Sequence, residues 1–265
     1  MVKSDTRKTK AWEIKYAIWE KKEYNESIAL VIDQIADEIS MLIPQGPPLG
    51  FKPIILVNAL YYDHRLYWPL NQEYYKIGLD VGRITFGKTT YQFTHELAHI
   101  YCDPRVVNWF IEIICHVASF YFLDFLSEKW ENQPHDSDYY KNSDVFNNFK
   151  NEILREAVDK VDLYQFQVSG DWLKKEIRKI HNERTLGNRI IYDIIAMEIL
   201  PLFKEFKEGW QILSYIGGSS VPLPPENPED LTTNREVLPD FDKLYQIVPE
   251  DLKFFVKKLT DKIWN

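Results

Sequence analysis

From Tyr91 to Leu126 the chain reads YQFTHELAHIYCDPRVVNWFIEIICHVASFYFLDFL. Two apolar segments meet at Asp103-Pro104, and each carries imidazole and carboxylate groups among its apolar residues. An apolar helix that contains charged groups must be buried, and those groups must find partners inside the protein. This constrains the fold more than any other feature of the chain. Proline stops a helix, so the spacing predicts one helix from near Thr89 or Thr90 to Pro104, and a second from about Val106 to Trp130.

On the first helix, His95, Glu96 and His99 form HExxH. Residues four apart share a helix face, so both imidazoles can reach one ion. Glu96 lies beside them and is placed to take a proton from a water rather than to bind the ion. Zinc suits this donor set: it favours imidazole and takes three protein ligands plus water at catalytic sites. The bland alternative is a pair of hydrogen-bonded histidines on a helix surface.

On the second helix, Glu112 is the candidate third ligand. A carboxylate in so apolar a run needs a strong partner, or else an exposed place at the helix start where the dipole favours it. His116, one turn further on, has three readings: an alternative third ligand, a group that hydrogen-bonds to a ligand, or a core histidine. Cys102 and Cys115 flank the same helices and read as buried thiols. A closed site that used either of them would instead be a structural clamp.

The rest of the chain supplies the frame. NESIALVIDQIADEISMLI predicts a helix capped at Asn25 or Ser27, with Ile28, Val31, Ile32, Ile35 and Ile39 on one face. AWEIKYAIWEKKEY is either a strand or a short helix. IILVNAL and YYKIGLDVG read as strands. Residues after 131 read as helical, with Pro201 predicted to kink or split one helix and a Pro-rich connection over 216–240. The expected fold class is α+β: a lobe over residues 11–130, a helical lobe over 131–265, and a cleft between them with the ion on its floor.

The net charge of −8 is not that of a nucleic-acid-binding surface. The longest apolar run contains Glu112, His116 and Asp124, so it reads as a buried helix rather than a membrane span. The N-terminal residues lack the apolar stretch of a secretory signal, and two cysteines are too few for a disulfide framework. The expected compartment is the cytoplasm.

The helix pair resembles the zincin metallopeptidases, the gluzincin branch in particular. There HExxH on one helix is followed by a second helix carrying a glutamate ligand, with an acidic residue one turn later. The resemblance implies a zinc cofactor, ligands at His95, His99 and Glu112, Glu96 as catalytic base, and a peptide or protein substrate. The acidic position falls on His116, a departure from the pattern. YKIGLDV, YQFTHELAHIY and NWFIEIICHVAS are also similar to a group of uncharacterised bacterial proteins, over roughly residues 50–130. The resemblance further implies an edge strand that pairs with substrate, here the strand with Lys76 and Gly78. It also implies an oxyanion donor further along the chain, for which Tyr192 and His181 are the candidates. The competing expectation is a zincin-like protein that binds or regulates without cutting.

Overall fold

The computed structural model describes residues 5–18, 22–59, 65–67, 73–81, 85–132, 143–160, 171–183, 188–222 and 235–265. Its N-terminal part is a mixed sheet. Strands β1 (Asp5–Lys8) and β2 (Glu13–Ala17) pair antiparallel. Helix α1 (Lys22–Leu42) then returns the chain to β3 (Ile54–Asn58), parallel to β2. Strands β4 (Arg65–Tyr67) and β5 (Tyr75–Leu79) complete the order β1-β2-β3-β5-β4.

Alternation decides which face is buried. In β2, Ile14 and Tyr16 point inward and their neighbours outward. The apolar stripe of α1 (Ile28, Val31, Ile32, Ile35 and Ile39) is buried, as its spacing predicts. A part-buried hydrogen bond from Tyr16 Oη to Asp33 Oδ1, 2.6 Å, ties β2 to α1. The helix spans Lys22–Leu42, so Asn25 and Ser27 lie within it and are not its caps.

Helix α2 (Phe86–Cys102) begins earlier than Thr89, with Thr85 at its N-cap position. Its last turn ends at Asp103, whose φ of 94° reverses the chain. The Asp103 carboxylate accepts hydrogen bonds from the Arg105 guanidinium at 2.8 and 2.6 Å and from the Arg105 backbone N–H. Residues Val106–Val107 form a short strand, β6, where the sequence predicts the start of a helix. Helix α3 (Trp109–Glu131) starts only after Asn108, whose side chain accepts from the Ile111 N–H at 2.9 Å. The turn folds α3 back along α2.

Between Trp109 and Leu123 every residue of α3 is buried except Glu112. By length and composition α3 could cross a membrane, but 83% of its apolar window is covered by the rest of the protein.

The later residues pack against this pair. Helices α4 (Asp144–Lys160) and α6 (Arg189–Glu205) lie on α3, and α5 (Trp172–Glu183) lies on the C-terminal helix. Pro201 sits inside an unbroken α6 and does not split it. A 3₁₀ turn (Lys207–Ile212) leads into α7 (Leu213–Ser219), which packs against α2. The second half is not all helical, contrary to the helical reading of its sequence. Strands β7 (Val221–Pro222) and β8 (Arg235–Leu238) join β6 in a small second sheet, order β6-β8-β7. Of the Pro-rich connection, residues 223–234 lie outside the described residues. Helices α8 (Phe241–Ile247) and α9 (Glu250–Ile263) close the chain. The architecture is α+β, and one apolar core runs through both halves.

One expectation about the sheet fails. Strand β5 is not an edge: it pairs with β3 along its whole length and with β4 at Lys76, Ile77 and Gly78. Lys76 and Gly78 therefore have neighbours on both sides and offer no free edge to an extended peptide. The edges are β1 and β4.

Candidate metal centre

Helices α2 and α3 bring the sequence-predicted donors together. His95 Nε2 and His99 Nε2 are 3.3 Å apart. The Glu112 carboxylate spans both, with Oε2 3.4 Å from His95 Nε2 and Oε1 3.4 Å from His99 Nε2. A tetrahedral ion with bonds of about 2.0–2.2 Å separates its ligand atoms by about 3.3–3.6 Å. The two imidazole nitrogens fall within this range, and each lies 3.4 Å from a different oxygen of the Glu112 carboxylate. Buried groups here could hold a metal ion: His95 with Glu112 and His116, or His95 with His99 and Cys115.

Solvent reaches the cluster mainly through His99 and Glu112, whose side chains are 14% and 20% exposed. Glu96 is buried, and its charge acts on His99.

The local electrostatics are asymmetric. Burial lowers His95 to about 4, against the hydrogen bond it donates to Glu112. The same burial acts on His99, but Glu112, through its charge and its hydrogen bond, outweighs it and carries this group up to about 9. Burial would raise Glu112, yet the charge and hydrogen bonds of the two histidines hold it well below the usual carboxylate range.

His116 lies one turn beyond Glu112 and packs its ring at right angles to that of His95, centroids 4.9 Å apart. Its Nδ1 is 2.7 Å from Asp193 Oδ1 and 2.8 Å from Tyr91 Oη. Tyr91 Oη also donates to Asp193 Oδ1 at 2.8 Å. Burial first, then the Asp193 charge, holds the Tyr91 phenol well above its usual value, so it stays a donor. The Arg189 guanidinium lies 5.2 Å over the Tyr91 ring.

Asp193 and Tyr91 escape a reading of the sequence as candidates. Tyr91 stands one turn before His95 and is an ordinary core aromatic by pattern. Asp193 lies 77 residues beyond His116. The signal that could have found it is a lone acidic residue on the apolar face of RIIYDIIAMEI, which is buried in the fold.

Cys115 is also close: its sulfur and the nitrogens of His95 and His99 lie within 4.8 Å of one another. Burial, and then a hydrogen bond with Cys102, raises its thiol well above the usual value, which favours the neutral form.

The two candidate oxyanion donors part company. The Tyr192 ring packs 6.0 Å from that of His116, and burial together with the Glu112 charge keeps its phenol protonated. His181 goes elsewhere. Its Nδ1 accepts from Trp109 Nε1 at 3.4 Å, its ring packs 4.9 Å from Trp264, and it lines a cavity of about 490 Å³ with Phe241 and Asp240. That cavity is walled by residues of the second half and by none of the metal donors, so it is not the cleft with the ion on its floor that the sequence suggests.

No family model matches this chain, and neither a curated protein nor a solved structure matches it.

Proposed function

We propose that this protein is a zinc-dependent hydrolase, and that its substrates are peptides or proteins. The observation that carries the reading is the convergence of HExxH on α2 with Glu112 on α3: the two imidazole nitrogens are 3.3 Å apart, and each lies 3.4 Å from one oxygen of the Glu112 carboxylate. A zinc ion held there would supply Lewis acidity, lowering the pKa of a water and polarising a carbonyl.

The chain's own groups then divide the remaining work. His95, His99 and Glu112 would hold the ion. Glu96 accepts the proton of the attacking water and returns it to the leaving amine. Tyr192, kept protonated beside Glu112, is the candidate to donate a hydrogen bond to the developing oxyanion. The resemblance to gluzincins supports this division of roles.

The test is Glu96→Gln, read against wild type for zinc content and for hydrolysis of a peptide library. The expected result is unchanged zinc with cleavage reduced about 10²–10⁴-fold. A variant that cleaves as fast as wild type would overturn the mechanism, and a wild-type protein without zinc would overturn the site.

One observation favours a second reading, a zincin-like protein that binds or regulates without cutting. His116 stands where the resemblance calls for an acidic residue, and it lies close enough to the cluster to compete for the ion. Zinc-loaded wild type that binds peptides and cleaves none would select this reading.

A further inference from the structure

We propose that His116 is a fourth ligand of the metal ion, and that Asp193 and Tyr91 are the residues that position it. The inference rests on the reading above, that this cluster holds an ion.

Three observations carry it. First, the helix puts His116 and Glu112 on one face of α3, and the donor atoms of His95, Glu112 and His116 lie within 4.8 Å of one another. Second, Nδ1 of His116 is committed: it lies 2.7 Å from Asp193 Oδ1 and 2.8 Å from Tyr91 Oη. The nitrogen left for the ion is Nε2. Metal-ligating histidines nearly always donate their other ring N–H to a carboxylate, a carbonyl or water, which fixes the tautomer and the ring orientation.

Third, the pairing is deeply buried, with the His116 and Asp193 side chains 5% and 4% exposed. A carboxylate so deep needs compensation. Its second neighbour, the Tyr91 hydroxyl, comes from the same face of α2 as His95. The network thus spans the HExxH helix, the helix that carries Glu112, and α6.

The consequence is a centre of three imidazoles and one carboxylate. One of those imidazoles is held in place from the second half of the chain. Metal affinity should then depend on α6, which contributes no ligand. A four-ligand set also means that chemistry at the ion requires a fifth position, which zinc can adopt.

The experiment is X-ray absorption spectroscopy on the zinc-loaded wild-type protein, with zinc affinity by chelator competition for wild type, Asp193→Asn, Asp193→Glu and Tyr91→Phe. Three coordinated imidazoles are expected. Asp193→Asn should weaken zinc binding about 10–100-fold, with Asp193→Glu recovering part of the loss and Tyr91→Phe losing less. Two imidazoles in wild type would overturn the proposal while leaving the three-ligand centre intact. A sulfur neighbour would overturn it in favour of Cys115. A wild-type protein that takes up no zinc would overturn this proposal together with the reading on which it rests. The spectrum is taken on wild type, so a variant that fails to fold does not shield the proposal.

Discussion

Metal binding should expel one proton, and that proton should come from His99. In the metal-free protein burial keeps His95 neutral at pH 7, its pKa lowered to about 4. His99 is carried the other way, from 6.5 to about 9, because the Glu112 charge and hydrogen bond outweigh the same burial. At pH 7 His99 is then protonated in a ratio of about a hundred to one. An ion binds imidazole only in its neutral form, so this proton has to leave. The apparent affinity should rise about tenfold per pH unit from pH 7 to about pH 9 and then flatten, a span of about 2.7 kcal/mol.

Titration calorimetry in two buffers of different ionisation enthalpy counts the protons directly. The expected count at pH 7 is about one per ion. A count near zero, or an affinity already flat at pH 7, would refute the placement of the proton.

The same shifts predict how the metal-free protein responds to pH. The His99 pKa is raised on folding, so its contribution of about 3 kcal/mol is complete below pH 6.5 and lost as pH rises through about 9. The His95 pKa is lowered on folding, so stability falls as pH drops from 6.5 toward 4. The shifts of His99 and Glu112 describe one shared interaction and are not added. Thermal melts of metal-free protein should therefore show these two terms balanced near pH 6.5, with melting temperature falling on either side.

Two further outcomes are expected. Zinc at a hundred times its dissociation constant should stabilise the protein by about 2.7 kcal/mol, or about 5–10 °C in melting temperature, and a chelator should reverse the gain; a melting temperature indifferent to zinc would contradict the site. Gly217→Ala should cost about 1–3 kcal/mol, because a Cβ there would lie 2.3 Å from the Cys102 carbonyl oxygen and 2.4 Å from Asp103 Cβ, while Gly218→Ala, with only Ile247 Cδ1 at 3.7 Å, should melt near wild type.

The parts of the site that were legible from sequence are those set by local geometry. Four-residue spacing puts His95 and His99 on one helix face. A single carboxylate in an apolar run marks Glu112, and both features rest on distances within a helix or across one tight turn. The strands at 13–17, 54–58 and 75–79 were legible as strands, or as one of two readings, from alternation and β-branched residues. Their pairing was not. Which strand takes an edge depends on β4, a three-residue segment with no periodic signal, and β4 is what covers Lys76 and Gly78.

The start of α3 departs from the side-chain pattern because backbone pairing overrides it. Val106 and Val107 read as the first turn of an apolar helix, but β8 claims their backbone from more than a hundred residues away. His181 and Tyr192 were equally plausible as donors by position in the chain. Packing separates them, sending one to Trp109 and Trp264 and the other to His116.

What the sequence determined by itself was the chemistry available: two imidazoles and two carboxylates on two consecutive buried helices. What the tertiary structure alone decided was the environment of those groups. The convergence of His95, His99 and Glu112 to 3.3–3.4 Å needs α3 folded onto α2. The arrival of Asp193 beside His116 needs α6 packed on α3. Contacts of this kind are fixed by packing between residues distant in the chain, and no local periodicity encodes them.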